Sequence, residues 1–177
     1  MTSSKAFIES RREMEKVLTE ERVGYLGLSM HGLPYVVPLS YGYAAGKILF
    51  HCALIGKKLD YIRANPQVCF TVGRQFGEVV PHPQGAVCHV NGDSVICYGI
   101  ARIISNAEER RKTPNTFNHC LQPDAKEITL EDGSTCCAVE ITVPEMTGRE
   151  ERDGKCVYWR QRFEERPGSG HASEAQM

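Results

Sequence analysis

The sequence lacks the long apolar segments that mark membrane-spanning and secreted proteins. No apolar run in its 177 residues approaches the roughly 20 that cross a bilayer, and the N-terminal segment MTSSKAFIESRREMEK has no signal-peptide core. The formal net charge of −1 gives no general attraction to nucleic acid or to anionic membranes. We therefore expect a cytoplasmic protein that binds neither. Hydrophobic residues make up 41% of the chain, which is ordinary for a globular core.

Two nucleotide-binding motifs are also missing. No G-x-G-x-x-G follows an apolar strand pattern, and no G-x-x-x-x-G-K-[ST] loop is present. A dinucleotide-binding parallel sheet and a P-loop are thereby excluded.

Cysteine is abundant, yet the C-x-x-C spacing of metal and redox motifs is absent. The eight cysteines are Cys52, Cys69, Cys88, Cys97, Cys120, Cys136, Cys137 and Cys156. The first four lie in apolar, strand-like runs, where cysteine acts as a small hydrophobe. We expect all eight to be reduced and none to bind a metal. A redox-active thiol or a disulfide is the lesser alternative, since a reducing cytosol disfavours it.

Hydrophobic periodicity predicts many short strands and few helices. An amphipathic helix is expected over 7–20, with Ser4 as a candidate N-cap and Met14, Val17 and Leu18 on its apolar face. A short helix is expected over 57–64, and a third begins at Asn106, with Pro114 interrupting it. The role of the interrupted segment 113–123 is left open.

The strands are expected over 23–30, 35–43, 47–53, 67–73, 86–90, 94–104, 135–143 and 155–159. The second and third should form a hairpin, and Asn91-Gly92-Asp93 should turn the fifth into the sixth. Pro38 suggests a sheet edge or a bulge. This pattern predicts a mainly β, antiparallel barrel in one domain over 1–165, followed by a polar, disordered tail over 166–177.

The triplet Gly56-Lys57-Lys58 is the clearest candidate site, because it lies where a strand passes into a helix. Helix N-termini favour anions, so two lysines there are out of place unless an anion binds. Gly56 also permits close backbone approach. A phosphate site and a merely solvated helix start are about equally consistent with the pattern.

Two further segments lie close to this loop in the sequence. His51 precedes it on a predicted strand, either as a ligand contact or as a hydrogen-bonded structural residue. The segment Val37-Pro38-Leu39-Ser40-Tyr41 could offer backbone groups and the Ser40 hydroxyl to a flat ring, or be an ordinary hairpin strand.

From about residue 8 to residue 159 the chain resembles the pyridoxamine 5′-phosphate oxidase-related flavoproteins, and most nearly their nitroimidazole-resistance branch. The segments that carry the resemblance are ERVG (21–24), GLPYVVPLSY (32–41), ILFHCA (48–53), GKKLD (56–60), NPQVCF (65–70), SVICYGIA (94–101) and EERR (108–111). Their order and spacing are specific, although no single segment is decisive.

The resemblance implies an antiparallel split β-barrel with a few peripheral helices. It implies a homodimer that binds FMN at the subunit interface, with 37–41 along the ring, Gly56, Lys57 and Lys58 at the phosphate, and His51 and Tyr98 bordering the pocket. We add Trp159 at or near the interface, with a core position as the alternative.

The expected function is an FMN-dependent oxidoreductase that reduces a small-molecule electron acceptor such as a nitroaromatic or a quinone. His51, expected to be partly protonated near neutral pH, would act as the catalytic proton donor. A haem-binding or haem-handling protein with His51 as axial ligand, and a non-catalytic FMN-binding module, are the alternatives. Oxidation of pyridoxamine 5′-phosphate itself is disfavoured, because no second phosphate-binding loop is visible.

Overall fold

The computed structural model describes residues 7–81, 88–127 and 136–162. Its helices are α1 (Arg11–Glu20), α2 (Lys57–Ala64) and α3 (Ala107–Leu121). Its strands are β1 (Phe7–Ile8), β2 (Val23–Met30), β3 (Leu33–Ser40), β4 (Gly42–Ala44), β5 (Lys47–Cys52), β6 (Gln67–Gln75), β7 (Val80–Pro81), β8 (Cys88–His89), β9 (Gly92–Ile103), β10 (Cys137–Arg152) and β11 (Lys155–Arg162). None of these helices combines the length and apolar composition of a membrane span.

Nine of these strands form one curled, almost entirely antiparallel sheet. Its main path runs β1-β11-β10-β9-β6-β2-β3, and β5 adds to β10 while β4 pairs only with β5. The pair β1 and β11 is the parallel exception, and β7 and β8 form a small separate sheet. The expected mainly β half-barrel with peripheral helices is confirmed.

The core lies inside the curl because alternate residues of each strand point inward. In β6, for example, Val68, Phe70 and Val72 are buried while their neighbours are not. Helix α1 closes the curl with Met14, Val17 and Leu18, each at most 1% exposed, as its periodicity predicted.

The start of α1 differs from the expectation. Residues Phe7 and Ile8 form β1, which pairs in parallel with Tyr158 and Trp159, and the helix begins after Ser10. This strand depends on a partner 150 residues away, which no local pattern reveals. The proposed cap Ser4 and the tail 166–177 lie outside the described residues.

The predicted strand 35–43 is two strands, divided at Tyr41. Its first part, β3, pairs with β2 and ends the sheet path, so Pro38 does lie on an edge strand. Its second part, β4, forms the hairpin with β5. The hairpin expectation therefore holds only for these last three residues.

Two further expectations were wrong. Asn91-Gly92-Asp93 does not turn one strand into a paired neighbour, since β9 already begins at Gly92 and β8 pairs with β7. Pro114 does not interrupt α3, which runs through it to Leu121. The ring removes one donor to the Arg110 carbonyl. The cap at Asn106, whose side chain accepts from two first-turn N–H groups, stabilises the helix start.

Candidate functional site

The loop after β5 leads into α2, and the first backbone N–H groups of this helix have no side-chain partner. Gly56 has φ 150° and ψ 158°, a conformation that side-chain-bearing residues rarely adopt. No side chain caps the helix, and the Gly56 carbonyl accepts from the Leu59 and Asp60 N–H groups at 2.9 and 3.3 Å. The N–H groups at the start of α2 therefore point out of the helix, where an anion would meet the positive end of its dipole.

The two lysines of this loop reach in different directions. The Lys57 ammonium lies 4.7 Å from the ring centroid of Tyr35 and 5.6 Å from that of Tyr61. These rings are themselves 5.3 Å apart. Cation–π attraction therefore fixes the Lys57 charge between β3 and α2. Lys58 instead lies beside Cys52, where burial raises the pKa of the thiol and the Lys58 charge opposes that rise.

His51 lies on the opposite face of β5 from Cys52, because neighbouring strand residues alternate. It is opposite Ala138 of β10, and its ring contacts that of Phe117 edge-on at 4.8 Å. Burial of part of the ring lowers the pKa of His51. A smaller fraction is therefore protonated at neutral pH than the unperturbed value assumed from the sequence.

The side chains of segment 37–41 are divided between the core and the outer face of the sheet. Val37 and Leu39 pack against the core, whereas Pro38 and Ser40 are exposed on the outer face of β3. Tyr41 is 1% exposed, and its hydroxyl donates to the Leu18 carbonyl at 2.8 Å. The Tyr41 side chain thus belongs to the core, which leaves only its backbone within reach of a ligand.

Trp159 also lies in the core of the single chain. It is 5% exposed, and a Cβ placed on Gly148 would come within 2.9 Å of both Trp159 and Met14. This glycine therefore lets the indole pack closely between β10 and α1, at the far side of the sheet from β3. The alternative considered for Trp159, a core position, describes its place here.

A cavity of about 630 Å³ opens on the outer face of the sheet. Its lining residues are Gly27, Leu28, Ser29, Pro34, Val36, Asn65, Gln67, Val68, Cys69, Tyr98, Gly99, Ile100 and Pro144. Of the site residues expected from the sequence, only Tyr98 lines it. Sequence reasoning missed the others, although the small residues at alternate positions 27 and 29 of β2 were a usable signal for room on that face.

Helix α2 connects the cavity to the lysine loop. It begins at Lys57 and ends beside Asn65, and eight residues span roughly 12 Å. Tyr35, which contacts Lys57, lies between two cavity residues of β3, Pro34 and Val36. The structure thus brings the lysine loop and the cavity to the two ends of one short helix.

With this geometry in place, comparison with known proteins is informative. A family model for pyridoxamine 5′-phosphate oxidase matches residues 10–150. The chain belongs to this family. A relative from Rhizobium meliloti (strain 1021), described as uncharacterized, is 31% identical over 156 residues, covering 80% of this chain and 93% of the relative.

Solved structures agree with the family assignment. A proposed 5-nitroimidazole antibiotic resistance protein of Bacteroides thetaiotaomicron is 22% identical, with a TM-score of 0.71 over 88% of this chain and 89% of that one. A FAD-binding protein of Mesorhizobium loti is 25% identical, with a TM-score of 0.63 over 81% and 96%. A FAD and heme binding protein of Mycobacterium smegmatis shares the fold at 11% identity, with a TM-score of 0.72 over 96% and 92%.

The place of Tyr41 gives a first prediction. Tyr41→Phe removes the hydroxyl that the Leu18 carbonyl needs, so we expect the free energy of unfolding to fall by about 0.5–1.5 kcal/mol. Flavin affinity of the folded protein should not change. Chemical denaturation and flavin titration measure both, and a selective loss of flavin affinity in Tyr41→Phe would contradict the core assignment.

Proposed function

We propose that this protein is an FMN-binding oxidoreductase that transfers electrons to a small organic acceptor and works as a homodimer. The observation that carries the proposal is the start of α2. There an uncapped helix N-terminus follows a glycine at φ 150°, and two lysines occupy the first two helical positions. Family membership and the FAD-binding relative at 25% identity support a flavin as the group that this point receives.

A single phosphate suits this loop better than a longer anion. The first turn of α2 offers N–H groups that no side chain caps, and Lys58 adds a positive charge in that same turn. The Lys57 ammonium is held between two tyrosine rings, and from there its positive charge attracts the phosphate. FMN ends in one phosphate, so these residues fit it.

The protein's own residues would orient the cofactor and supply a proton to the electron acceptor. When bound, the flavin supplies the electron chemistry, which side chains cannot perform. Ser40 presents a hydroxyl on the exposed side of β3. Pro38 of the same strand has no backbone N–H, so this edge strand has one hydrogen-bond donor fewer. His51 carries an exchangeable ring proton at the end of β5, within a few residues of the loop. A proton held there can pass to an acceptor as the acceptor gains electrons.

Haem binding is the second candidate, and one observation favours it. An axial histidine must be neutral, and the pKa of His51 is lowered by burial. The FAD and heme binding protein that shares the fold makes the alternative worth testing. The visible absorption spectrum separates the two, since flavin and haem absorb in distinct bands.

The first test removes the lysines. Lys57→Ala/Lys58→Ala should weaken FMN binding by on the order of a hundredfold or more, because charge-assisted contacts contribute roughly 1.5–3 kcal/mol each. Riboflavin, which has no phosphate, should be nearly indifferent. Lys16→Ala/Lys155→Ala removes the same charge from exposed positions and should leave both affinities unchanged. Equal losses for FMN and riboflavin would mean that the lysines act through folding, and a haem spectrum without flavin would refute the flavin proposal.

The second test concerns His51. His51→Ala should retain the cofactor and lose about 10²–10⁴ in turnover per bound flavin, the range expected for general acid help. Turnover should also fall as pH rises through the lowered pKa of His51, since the protonated fraction disappears there. Unchanged turnover per bound flavin in the variant would assign His51 a bracing role. No turnover in the wild type with any acceptor would favour a non-catalytic FMN module.

The third test concerns the homodimer. Apolar side chains surround the cavity on the outer face, with Val36 62%, Val23 50% and Tyr25 49% exposed, and a second copy would cover them. Val36→Lys should shift the sedimentation equilibrium toward monomer. Ile8→Lys, at a side chain 56% exposed on β1, should not. A wild-type monomer at micromolar concentration would contradict the dimer.

A further inference from the structure

Two cysteines face each other across the last rung between β5 and β10. Cys52 ends β5, Cys137 begins β10, and the two residues are directly opposed in register. The two side chains project from the same face of the sheet, and the Cys137 thiol is close enough to contribute to the raised pKa of Cys52. Cys137 is 7% exposed at the edge of the core, while Cys52 is partly exposed beside it.

The spacing of this rung suits a disulfide. Opposed residues of an antiparallel pair have Cα atoms about 4.5–5.5 Å apart, and disulfides span Cα separations of about 4.4–6.8 Å. The other strand cysteines show the contrast. Cys69 is opposite Tyr98, and Cys97 is opposite Phe70, so these two thiols are one residue out of register and on opposite faces. The Cys52–Cys137 rung is thus set apart by register as well as by contact.

We propose that Cys52 and Cys137 form a redox-active thiol pair that a hydroperoxide converts reversibly into a cross-strand disulfide. The Cys52 thiolate attacks one peroxide oxygen, the O–O bond breaks, and the leaving hydroxide takes up a proton to become water. Cys137 then attacks the Cys52 sulfenic acid, the S–O bond breaks, and a second water leaves. Two thiols lose two electrons in total, and one hydrogen peroxide becomes two waters. A dithiol reductant reverses the change by thiol–disulfide exchange.

The surroundings assign the two roles. Cys52 is the more exposed thiol, so a hydroperoxide reaches it first, although burial raises its pKa and the Lys58 charge opposes that rise only in part. It is therefore the attacking group. Cys137 is buried but already in contact with Cys52, so it resolves the sulfenic acid without a large movement. Cys136 precedes β10 and also contributes to the raised pKa of Cys52, so it is the competing partner, but only Cys137 is opposed to Cys52 in the strand register.

This site does not depend on the proposed flavin. It does lie at the start of the loop that carries Lys58, because Cys52 is the last strand residue before 53–56. Oxidation would tie that loop's origin to β10.

The test is a peptide map of the full-length protein after mild oxidation. The reduced protein, in a Cys156→Ser background that removes an exposed thiol, is treated with a small excess of hydrogen peroxide and then alkylated. We expect a linked Cys52–Cys137 peptide that disappears after dithiothreitol. Cys137→Ser should abolish the link and leave a Cys52 sulfenic acid that dimedone traps. Cys69→Ser is the matched control and should leave the link intact.

Three results would overturn the proposal. They are full alkylation of both Cys52 and Cys137 after oxidation, a link from Cys52 to Cys136 instead, and conversion of wild-type Cys52 to sulfinic acid with no disulfide. The wild-type map decides the question even if a serine variant does not fold.

Discussion

The structure depends on one strand, β10, which serves three neighbours. One of its edges pairs with β9 along most of its length, while the other pairs with β5 over 137–142 and then with β11 over 145–152. The change of partner falls at Val143-Pro144, where the register with β9 shifts by one residue. Pro144 has no backbone N–H, and it lies between the stretches that pair with β5 and with β11, where no ladder hydrogen bond needs one. The bulge bends the strand at this point. This bend curls the sheet into a half-barrel, sets Cys137 opposite Cys52 and His51 opposite Ala138, and places Pro144 in the wall of the cavity.

Local chemistry made part of this fold predictable. The buried face of α1, the bounds of α2 and the edge position of Pro38 all follow from periodicity, capping and the missing proline donor. The second half of β10 was not predicted beyond residue 143, because EMTGREER reads as polar loop. Glu145 and Glu151 are buried in the sheet and form ion pairs, with Arg160 and Arg162 each 3.4 Å from Glu145. A polar segment of this kind forms a strand only because neighbouring strands pair with it, so neither hydrophobic periodicity nor composition predicts it.

The candidate site follows from the sequence only in part, and its assignment stays a prediction. Gly56, Lys57 and Lys58 were identifiable because a lysine-rich helix start conflicts with the dipole, and that conflict is local. The different environments of the two lysines were not, since Tyr35 and Tyr61 reach Lys57 from β3 and from the next turn of α2. Tyr41 was expected beside a ligand because segment 37–41 resembles the stretch that lines the flavin ring in related proteins. The sheet breaks at this residue, and its hydroxyl turns to Leu18. The cavity around Tyr98 is lined by residues of five strands, β2, β3, β6, β9 and β10, and a sequence does not display how they come together.

The end of β5 constrains any ligand that both His51 and Lys58 contact. His51 is on the face that α3 covers, and Cys52, beside Lys58, is on the face toward the core. A ligand lying flat on either face of the strand meets only one of them. It can meet both only by passing around the strand end, where β5 stops and 53–56 leaves the sheet. An elongated molecule with an anionic end and a flat ring satisfies this condition, because its phosphate can sit on the N–H groups of α2 while its ring lies beyond the strand. A compact anion can occupy the N–H groups of α2 but cannot also extend beyond the strand end. A ligand that contacts both His51 and Lys58 must therefore be long enough to pass around this strand end.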